Sequence, residues 1–402
     1  MDGTKDNLFT MSFFCSCGAN FLLFFSFYLI LPILAVYLMD CFSVPESTVG
    51  AVLACYTLAC LFIRPFSGYL VDTFQRKPLY LLALSFFVLL FLGYPWVKTV
   101  FLFALLRMMH GFAFGMVSIS SNTILIDIMP ASRRGEGLGY FGLSNNFAMA
   151  TGPMVGMWLL EHYSYETIFY SSFCVSLCSF LIGSMIKTKY RPKVSPKEPI
   201  SLDRFILLKG IPAGVNMIFL AIPYGVMTSF IAIYAKELSV EGKPTSFYLF
   251  LAAGIALSRI FSGKLVDRGK MLLVIKVGIA VGGCAFLLLG LLPYLGIPHL
   301  YISKGLYSSA LMIGVGYGIL FPAMNSLFVA LAPNNKRGTA TSTYLTTWDL
   351  GIGVGLWGGG CMSEISSFST TFIVGGSLVI LSLLFFASYT QGHFLRNRVK
   401  EC

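Results

Sequence analysis

Charged side chains are scarce in this chain of 402 residues, where aspartate, glutamate, lysine and arginine together make up 11% of the sequence. A soluble globular domain carries about a quarter charged residues, so this composition excludes a chain that folds in water. Hydrophobic residues instead make up 56%. We therefore predict that the lipid bilayer surrounds most of this chain.

The sequence also lacks the spacings that hold metal ions or disulfide frameworks. Ten cysteines are present, but none belongs to a Cys-x-x-Cys motif or to a zinc-spaced cluster of cysteine and histidine. Only Cys15 and Cys17 form a close doublet, and the four histidines are scattered. No cluster of histidine and acidic residues suggests a membrane enzyme. We predict no metal, no cofactor and no enzymatic activity.

Long apolar stretches are what the sequence has in abundance, and each spanning helix needs about 20 such residues. Six stretches lie in the first half, near residues 11–39, 48–70, 78–97, 100–126, 136–160 and 166–186. Six more lie in the second half, near residues 208–235, 245–266, 271–292, 300–330, 338–361 and 367–389. We expect an all-α membrane protein with 12 transmembrane helices.

One stretch of the sequence occurs twice. Residues 64–72 read Arg-Pro-Phe-Ser-Gly-Tyr-Leu-Val-Asp, and residues 259–267, 195 positions later, read Arg-Ile-Phe-Ser-Gly-Lys-Leu-Val-Asp. Other landmarks recur at offsets of 196 to 203, pairing Asn20 with Asn216, Tyr28 with Tyr224, Gly111 with Gly314, Asn122 with Asn325, and Gly152 with Gly355. Such a repeat predicts two copies of one module. We expect two pseudo-symmetric six-helix bundles, residues 1–187 and 208–402, joined by a cytoplasmic linker at 188–207.

Basic residues indicate how the helices cross the membrane. An even number of spans puts both termini on one side, and an excess of lysine and arginine in the loops is typical of the cytoplasmic side. The basic residues on that side include Arg76, Lys77, Arg133, Arg134, Lys336 and Arg337. We therefore predict cytoplasmic termini. Because the net charge of +11 is spread over short loops, no nucleic-acid partner is expected.

The first copy of the repeat continues into a charged loop, and residues 68–77 read Gly-Tyr-Leu-Val-Asp-Thr-Phe-Gln-Arg-Lys. This loop resembles the signature of the major facilitator superfamily, although Thr73 stands where arginine is usual and Gln75 where glycine is usual. The second copy, at residues 263–270, is nearer the consensus. The whole chain is similar to that superfamily, closest to its bacterial drug and small-metabolite exporters. The resemblance implies the major facilitator fold in a bacterial inner membrane.

The resemblance also implies a latch between access states. In the superfamily the first-half loop packs against helix 11, so Asp72 would meet the region of Gly338, and Asp267 that of Gly135. Helix N-termini favour such carboxylates. Alternatively, Asp72 caps its own turn and the basic residues only fix the topology. The predicted latch residues are Gly68, Asp72, Arg76, Gly263, Asp267 and Arg268.

Helix 4 has a charge within its apolar span. Arg107 shares one helical face with Gly111, Gly115, Ser118 and Asn122. An arginine near the bilayer centre costs about 2.5 kcal/mol or more, so Arg107 should face protein or water, unless it extends to the outer headgroups. The sequence around it resembles the helix-4 motif of proton-coupled members of the superfamily, which implies a role in proton coupling.

Helix 5 contains Gly152, Pro153 and Gly156, in a sequence similar to the Gly-Pro motif of exporters in the superfamily. Ala148 and Met157 depart from that motif. Small residues four apart allow helices to pack closely, and a proline bends a helix because it removes a backbone donor. The motif favours efflux over uptake, with a generic packing seam as the alternative.

Asp349 lies in the middle of the helix-11 span, and its counterpart in the first half is Asn146. An ionisable residue inside a membrane is a candidate functional site. We predict that Asp349 carries a proton and is protonated in one access state and ionised in the other. Alternatively, Ser342 and Thr346 on the same face hold a neutral, structural acid.

Substrate contacts are expected on helices 1, 4, 7 and 10, because these helices line the cavity in the superfamily that the chain resembles. Asparagine and tyrosine recur eight residues apart on helices 1 and 7. The predicted cavity residues are Asn20, Tyr28, Asn122, Asn146, Asn216, Tyr224 and Asn325.

These features predict a monomeric secondary active transporter that exports a small organic molecule by alternating access in exchange for protons. A proton–substrate symporter for uptake shares every feature except the helix-5 motif. A non-transporting membrane receptor is a third class, but such a protein should append a signalling domain, and none is evident in the sequence.

Overall fold

The structure, a computed structural model, describes residues 7–130, 133–188, 206–239, 244–267, 270–296, 298–332 and 337–399. All regular elements in these ranges are helical. The predicted linker lies mostly outside the described residues, because residues 189–205 are not among them.

Long helices occur at all the predicted spans. In the first half they are α1 (Met11–Phe42), α2 (Glu46–Thr73), α3 (Arg76–Leu90), α4 (Val100–Ile128), α5 (Arg134–His162) and α6 (Tyr165–Ser184). In the second half they are α7 (Ile211–Glu237), α8 (Pro244–Asp267), α9 (Met271–Leu291), α10 (His299–Ala330), α11 (Arg337–Ile365) and α12 (Phe368–Phe385). A π-helical turn, Phe386–Thr390, continues α12 into α13 (Gln391–Asn397).

Nine helices in the described part of the chain are long and apolar enough to cross a membrane. Helices α5, α8 and α11 are outside this set. Helices α5 and α11 contain many glycines and polar residues, among them Gly152 and Gly156 in α5 and Asp349 in α11. These residues lower the mean hydropathy of the two helices. The predicted all-α membrane protein is confirmed, and the exact number of twelve crossings stays a prediction.

Local sequence explains where several helices begin. The side chains of Thr99, Ser164 and Ser367 accept hydrogen bonds from backbone N–H groups three residues later, at the starts of α4, α6 and α12. A hydroxyl at this position satisfies one of the N–H groups that the first turn leaves without a partner.

The chain divides into two compact units. Unit 1 consists of Met1–Ile33 and Cys55–Pro199, and unit 2 consists of Leu34–Ala54 and Ile200–Cys402. The end of α1 and the beginning of α2 therefore pack with the helices of the second half. The two six-helix bundles that the repeat predicts stay a prediction.

Glycine contacts repeat between the units in the same register. In unit 1 a side chain at Gly111 would overlap the carbonyl oxygen of Tyr56, and in unit 2 a side chain at Gly314 would overlap that of Leu251. Tyr56 and Leu251 are 195 positions apart, which is the spacing of the duplicated stretch. Each unit thus brings two backbones together at equivalent glycines, as small residues permit in membrane helices.

Candidate functional site

Arg107 lies inside unit 1 and is only 1% exposed. Its guanidinium carbon is 4.5 Å from the centre of the Tyr56 ring on α2 and 6.0 Å from that of the Phe27 ring on α1. A cation over an aromatic face is stabilised by the ring quadrupole, most strongly where water is excluded. Because protein encloses the side chain, this position does not match an arginine that extends to the headgroups.

A hydrogen-bonded pair holds Arg107 from the other side. Arg107 Nη1 donates to Tyr94 Oη at 3.4 Å, and the same oxygen lies 3.0 Å from Nδ1 of His110. Tyr94 belongs to the 3₁₀ turn Phe91–Trp96 between α3 and α4. His110 is fully buried, with its ring centre 4.4 Å from Phe87 and 4.6 Å from Phe91.

This buried cluster is incompletely paired. Among the described residues, Arg107 has no ion pair, and neither Arg107 Nε nor His110 Nε2 has a hydrogen-bond partner. A buried charge without a counter-charge is costly. The cluster therefore places a positive charge and two nitrogen atoms without hydrogen-bond partners in an apolar interior, an arrangement that packing alone does not require.

Asp349 lies near the middle of α11 in unit 2 and is half-buried. Its neighbour Trp348 packs into an aromatic cluster, with ring centres 4.7 Å from Phe321 and 5.2 Å from Tyr224. On another side of the helix, Gly351 and Gly355 face the backbone of α7. The helix is therefore fixed against its neighbours on both sides of the turn that carries the acid.

The face of α11 that carries Asp349 contacts α2. The contact lies closer to the C-terminal end of α11 than Asp349 does. Leu356 and Gly360 share this face, because residues seven and eleven positions apart return to nearly the same angle in a helix. A side chain at Gly50 would overlap the carbonyl oxygen of Leu356, and one at Gly360 would overlap that of Glu46. The two backbones are thus in direct contact within unit 2.

A carboxylate from α11 also caps α2. The backbone N–H of Ser47 donates to Oε2 of Glu364 at 3.2 Å. Ser47 lies in the first turn of α2, where N–H groups lack partners and the helix dipole favours negative charge. Glu364 therefore stabilises the contact between the two helices.

The predicted cavity residues of unit 1 differ in their surroundings. Asn20 is buried, and its Nδ2 donates to Ser144 Oγ on α5 at 3.0 Å. Tyr28 and Asn146 are half-buried. Asn122 has a buried side-chain oxygen without a hydrogen-bond partner among the described residues. Asn20 thus contributes to the packing of α1 on α5, whereas Asn122 keeps an unused acceptor.

In unit 2 both polar atoms of the Asn216 side chain form hydrogen bonds with other residues of the protein. Its Nδ2 lies 2.8 Å from both the carbonyl and hydroxyl oxygens of Ser382, and its Oδ1 accepts from Thr390 Oγ1 at 2.7 Å. The prediction that this residue contacts substrate therefore finds no support in its position. Tyr224 and Asn325 each keep a buried oxygen without a partner in the described part of unit 2.

The structure describes only some of the predicted latch residues. Arg268 lies outside the described residues, as do the side chains of Asp72 and Asp267 and the surroundings of Gly68 and Gly263, so that their roles stay predictions. Arg76 is described, and it forms an ion pair with Asp127 near the C-terminal end of α4. This pair connects the beginning of α3 with α4 within unit 1.

The helix-5 motif packs against α1. Helix α5 continues through Pro153 without interruption. Side chains at Gly152 and Gly156 would overlap Tyr28 and the carbonyl oxygen of Leu29, respectively. These contacts agree with a close packing seam, and they leave the predicted link with efflux untested.

Metal binding finds no support in the described ranges, where no group of three or more histidine, cysteine, aspartate or glutamate side chains is placed to hold an ion. Sequence reasoning missed Tyr94, His110, Asp127 and Glu364. His110 follows Arg107 by three residues, which puts both on one helical face, and this spacing was a usable signal. The other three contacts depend on packing between separate segments.

Comparisons with known proteins agree with this architecture. A sequence model of the Major Facilitator Superfamily matches residues 16–356 and 302–400. The multidrug resistance protein MdtG of Escherichia coli is 24% identical over 391 residues, covering 94% of this chain and 92% of that protein. The staphylopine export protein of Staphylococcus aureus is 22% identical over 364 residues, covering 84% and 86%.

Solved structures show the same fold. A mutant of the nucleoside transporter NupG superimposes with a TM-score of 0.73 at 15% sequence identity, covering 94% of this chain and 100% of that one. The family match extends over nearly the whole chain, and the recognition from the sequence is thereby confirmed. This chain belongs to the Major Facilitator Superfamily and is an integral membrane transporter.

Proposed function

We propose that this transporter exports a small organic molecule from the bacterial cytoplasm across the inner membrane in exchange for protons. It acts as a monomer, with both termini in the cytoplasm. The observation that carries the proposal is the position of Asp349, near the middle of α11 on the face that closes against α2 through Leu356 and Gly360. An acid at this place links protonation to a contact that alternating access must open.

The proton cycle follows from this position. With α2 and α11 in contact, the path to the outside is closed and substrate enters from the cytoplasm. Opening separates Gly50 from Leu356 and Gly360 from Glu46, after which Asp349 takes up a proton. Proton and substrate then favour opposite access states, which couples the two fluxes. Arg107, a buried positive charge in unit 1, is the second residue that we assign to proton coupling.

The substrate-contact set is narrower than the sequence prediction. Tyr28, Asn122, Asn146, Tyr224 and Asn325 remain in it. Of these, Asn122, Tyr224 and Asn325 each keep a buried oxygen without a hydrogen-bond partner among the described residues, and Tyr28 and Asn146 are half-buried. The partnerless oxygens of Asn122 and Asn325 occupy equivalent positions in the two repeats. In each unit, such an amide oxygen can accept a hydrogen bond, which suits a substrate that donates hydrogen bonds and has apolar surface.

Export is supported by the helix-5 motif and by the relatives, which include a multidrug resistance protein and a staphylopine export protein. The test begins with a thermal-shift screen of small molecules on purified protein, followed by transport of each hit into inside-out vesicles. Exchange predicts that added substrate drives protons out of an acidified lumen. Proton movement together with the substrate would favour the symporter, and hits that bind without transport would favour the receptor.

A further inference from the structure

Lys276 is a charged residue inside an apolar helix of unit 2. It lies five residues after the first residue of α9, within the segment Met271–Tyr294 that is long enough to cross a membrane. The side chain is half-buried, and among the described residues it takes part in no ion pair and no hydrogen bond. A lysine near the end of a spanning helix extends its ammonium group towards the headgroups of the lipids.

Lys276 lies at the seam between α9 and α12. Gly283 and Gly290 follow it by seven and fourteen residues, and such spacings return to similar angles around a helix. A side chain at Gly283 would overlap Ile380 of α12, and one at Gly290 would overlap the backbone of Ile373. The two helices are therefore antiparallel, and Lys276 is on the face of α9 that packs against α12.

The same register identifies what lies beside Lys276. Continued by seven residues, it puts Lys276 level with Ala387 in the π-helical turn, and it puts Lys270 level with His393 in α13. Ala387 and Lys270 are exposed, and so is Arg396 on the next turn of α13. This end of the seam is thus open to the surroundings and carries three permanently charged basic residues.

Acidic residues are absent from this part of the chain. None occurs in residues 268–348 or 365–400, which include all of α9, α12 and α13. The three helices therefore supply no carboxylate to neutralise their basic residues. A negatively charged partner from outside the protein would complete the charge balance.

The depth of the site matches the headgroup layer of a bilayer. The segment Phe368–Asn397 has 30 residues and is about 45 Å long, which exceeds the hydrocarbon core of about 30 Å. One end therefore extends into the headgroups. At the α13 end the rings of Phe385, Tyr389 and His393 stack in sequence at 5.7 and 6.1 Å, and tyrosine is enriched at the membrane interface.

We propose that this end of the seam between α9 and α12 binds an anionic phospholipid. The lipid phosphate pairs with Lys276, Lys270 and Arg396 add positive charge nearby, and an acyl chain lies against the exposed Leu384. Basic residues at the membrane surface attract such lipids. The proposed topology puts the site in the cytoplasmic leaflet. The binding depends on neither the substrate nor the direction of transport.

Photo-cross-linking in vesicles tests the site. Leu384 is replaced by the photoreactive p-benzoylphenylalanine in the full chain, which is reconstituted with equal amounts of phosphatidylglycerol and phosphatidylcholine. Mass spectrometry of the illuminated protein gives the ratio of the two captured lipids. We expect phosphatidylglycerol to dominate in the parent, and Lys276→Met to lower the ratio about fivefold, because each lysine contributes a similar share of the attraction.

Two variants serve as controls. Lys304→Met makes the same change in charge and mass at another exposed lysine in a spanning helix, which lies over the Tyr301 ring of α10 at 5.1 Å. It should leave the ratio unchanged. Lys276→Arg keeps the positive charge and should retain the parent ratio, which a role in packing alone would not predict.

Thermal unfolding identifies the folded variants, and Lys276→Gln replaces Lys276→Met if the latter does not fold. A loss of preference that is confined to the uncharged Lys276 variants supports the site. Equal capture of both lipids by the parent, or an unchanged ratio in the folded uncharged variant, overturns it. An equal fall in Lys304→Met also overturns it, because net charge would then select the lipid. None of these outcomes depends on Asp349, so the proposed transport cycle is tested separately.

Discussion

Asn20 and Asn216 occupy equivalent positions in the repeat, yet their side chains make different numbers of hydrogen bonds. Asn20 bonds to Ser144, whose hydroxyl also donates to the carbonyl of Phe141. Asn216 instead joins two parts of one helical segment, Ser382 of α12 and Thr390 of the π-helical turn. The extra residue in a π-helical turn changes which side chains face a neighbouring helix. Asn216 is therefore a structural residue in unit 2.

This difference predicts unequal losses of stability. Asn216→Ala should cost about 2 kcal/mol, because it leaves buried groups on Ser382 and Thr390 without partners. Asn20→Ala should cost about 1 kcal/mol, because Ser144 retains its bond to Phe141. Thermal unfolding of both variants in the same detergent measures the difference. An Asn20→Ala protein that unfolds at or below the temperature of Asn216→Ala would contradict this account.

Single residues also show where sequence reasoning ends. The charge of Arg107, the central position of Asp349 and the pairing of Asn20 with Asn216 were all visible in the sequence. The residues that contact Arg107 and Asn216 could not be identified from the sequence. Tyr94 reaches Arg107 only because the turn between α3 and α4 folds back, and Thr390 reaches Asn216 only through the π-helical turn. Neither contact follows from helical spacing.

At the scale of elements, α11 has two packing faces with different character. One face holds Gly351 and Gly355 against α7. The other face carries Asp349 and, further along, meets α2 through Leu356 and Gly360. The first contact joins helices of the same repeat, and the second joins α11 to a helix of the other repeat. The second is therefore the contact that we expect to open during transport.

A single methyl group should disturb that contact. Gly360→Ala places a carbon against the Glu46 carbonyl oxygen and should shift the population towards separated helices. Gly358→Ala is the matched control, because no atom lies within 4 Å of its new carbon. Spin labels at the exposed positions Ser43 and Ile365 would report the separation.

We expect longer distances between these labels in Gly360→Ala and parent-like distances in Gly358→Ala. If the two variants give the same distribution as the parent, the contact between α2 and α11 does not control access. If both variants give longer distances, helix α11 is disturbed by any added carbon, and the assignment of Gly360 is wrong.

At the scale of the molecule, the repeat explains the architecture and its asymmetry suggests the function. The sequence was sufficient to predict helices at all twelve span positions, and Gly111 and Gly314, which the repeat pairs, make equivalent contacts in the two units. It did not predict that Leu34–Ala54 pack with the second half. That assignment depends on which conformation the whole chain adopts, and a repeat describes only what its two copies share.

The central claim is that Asp349 carries the coupling proton. The equivalent residue of the first repeat is Asn146, so the two repeats differ at this position. The most direct test measures proton release from purified protein with a pH-sensitive dye when the solution is made alkaline, comparing the parent with Asp349→Asn. The account predicts that the variant releases one proton fewer per chain. Equal release from the two proteins would contradict it.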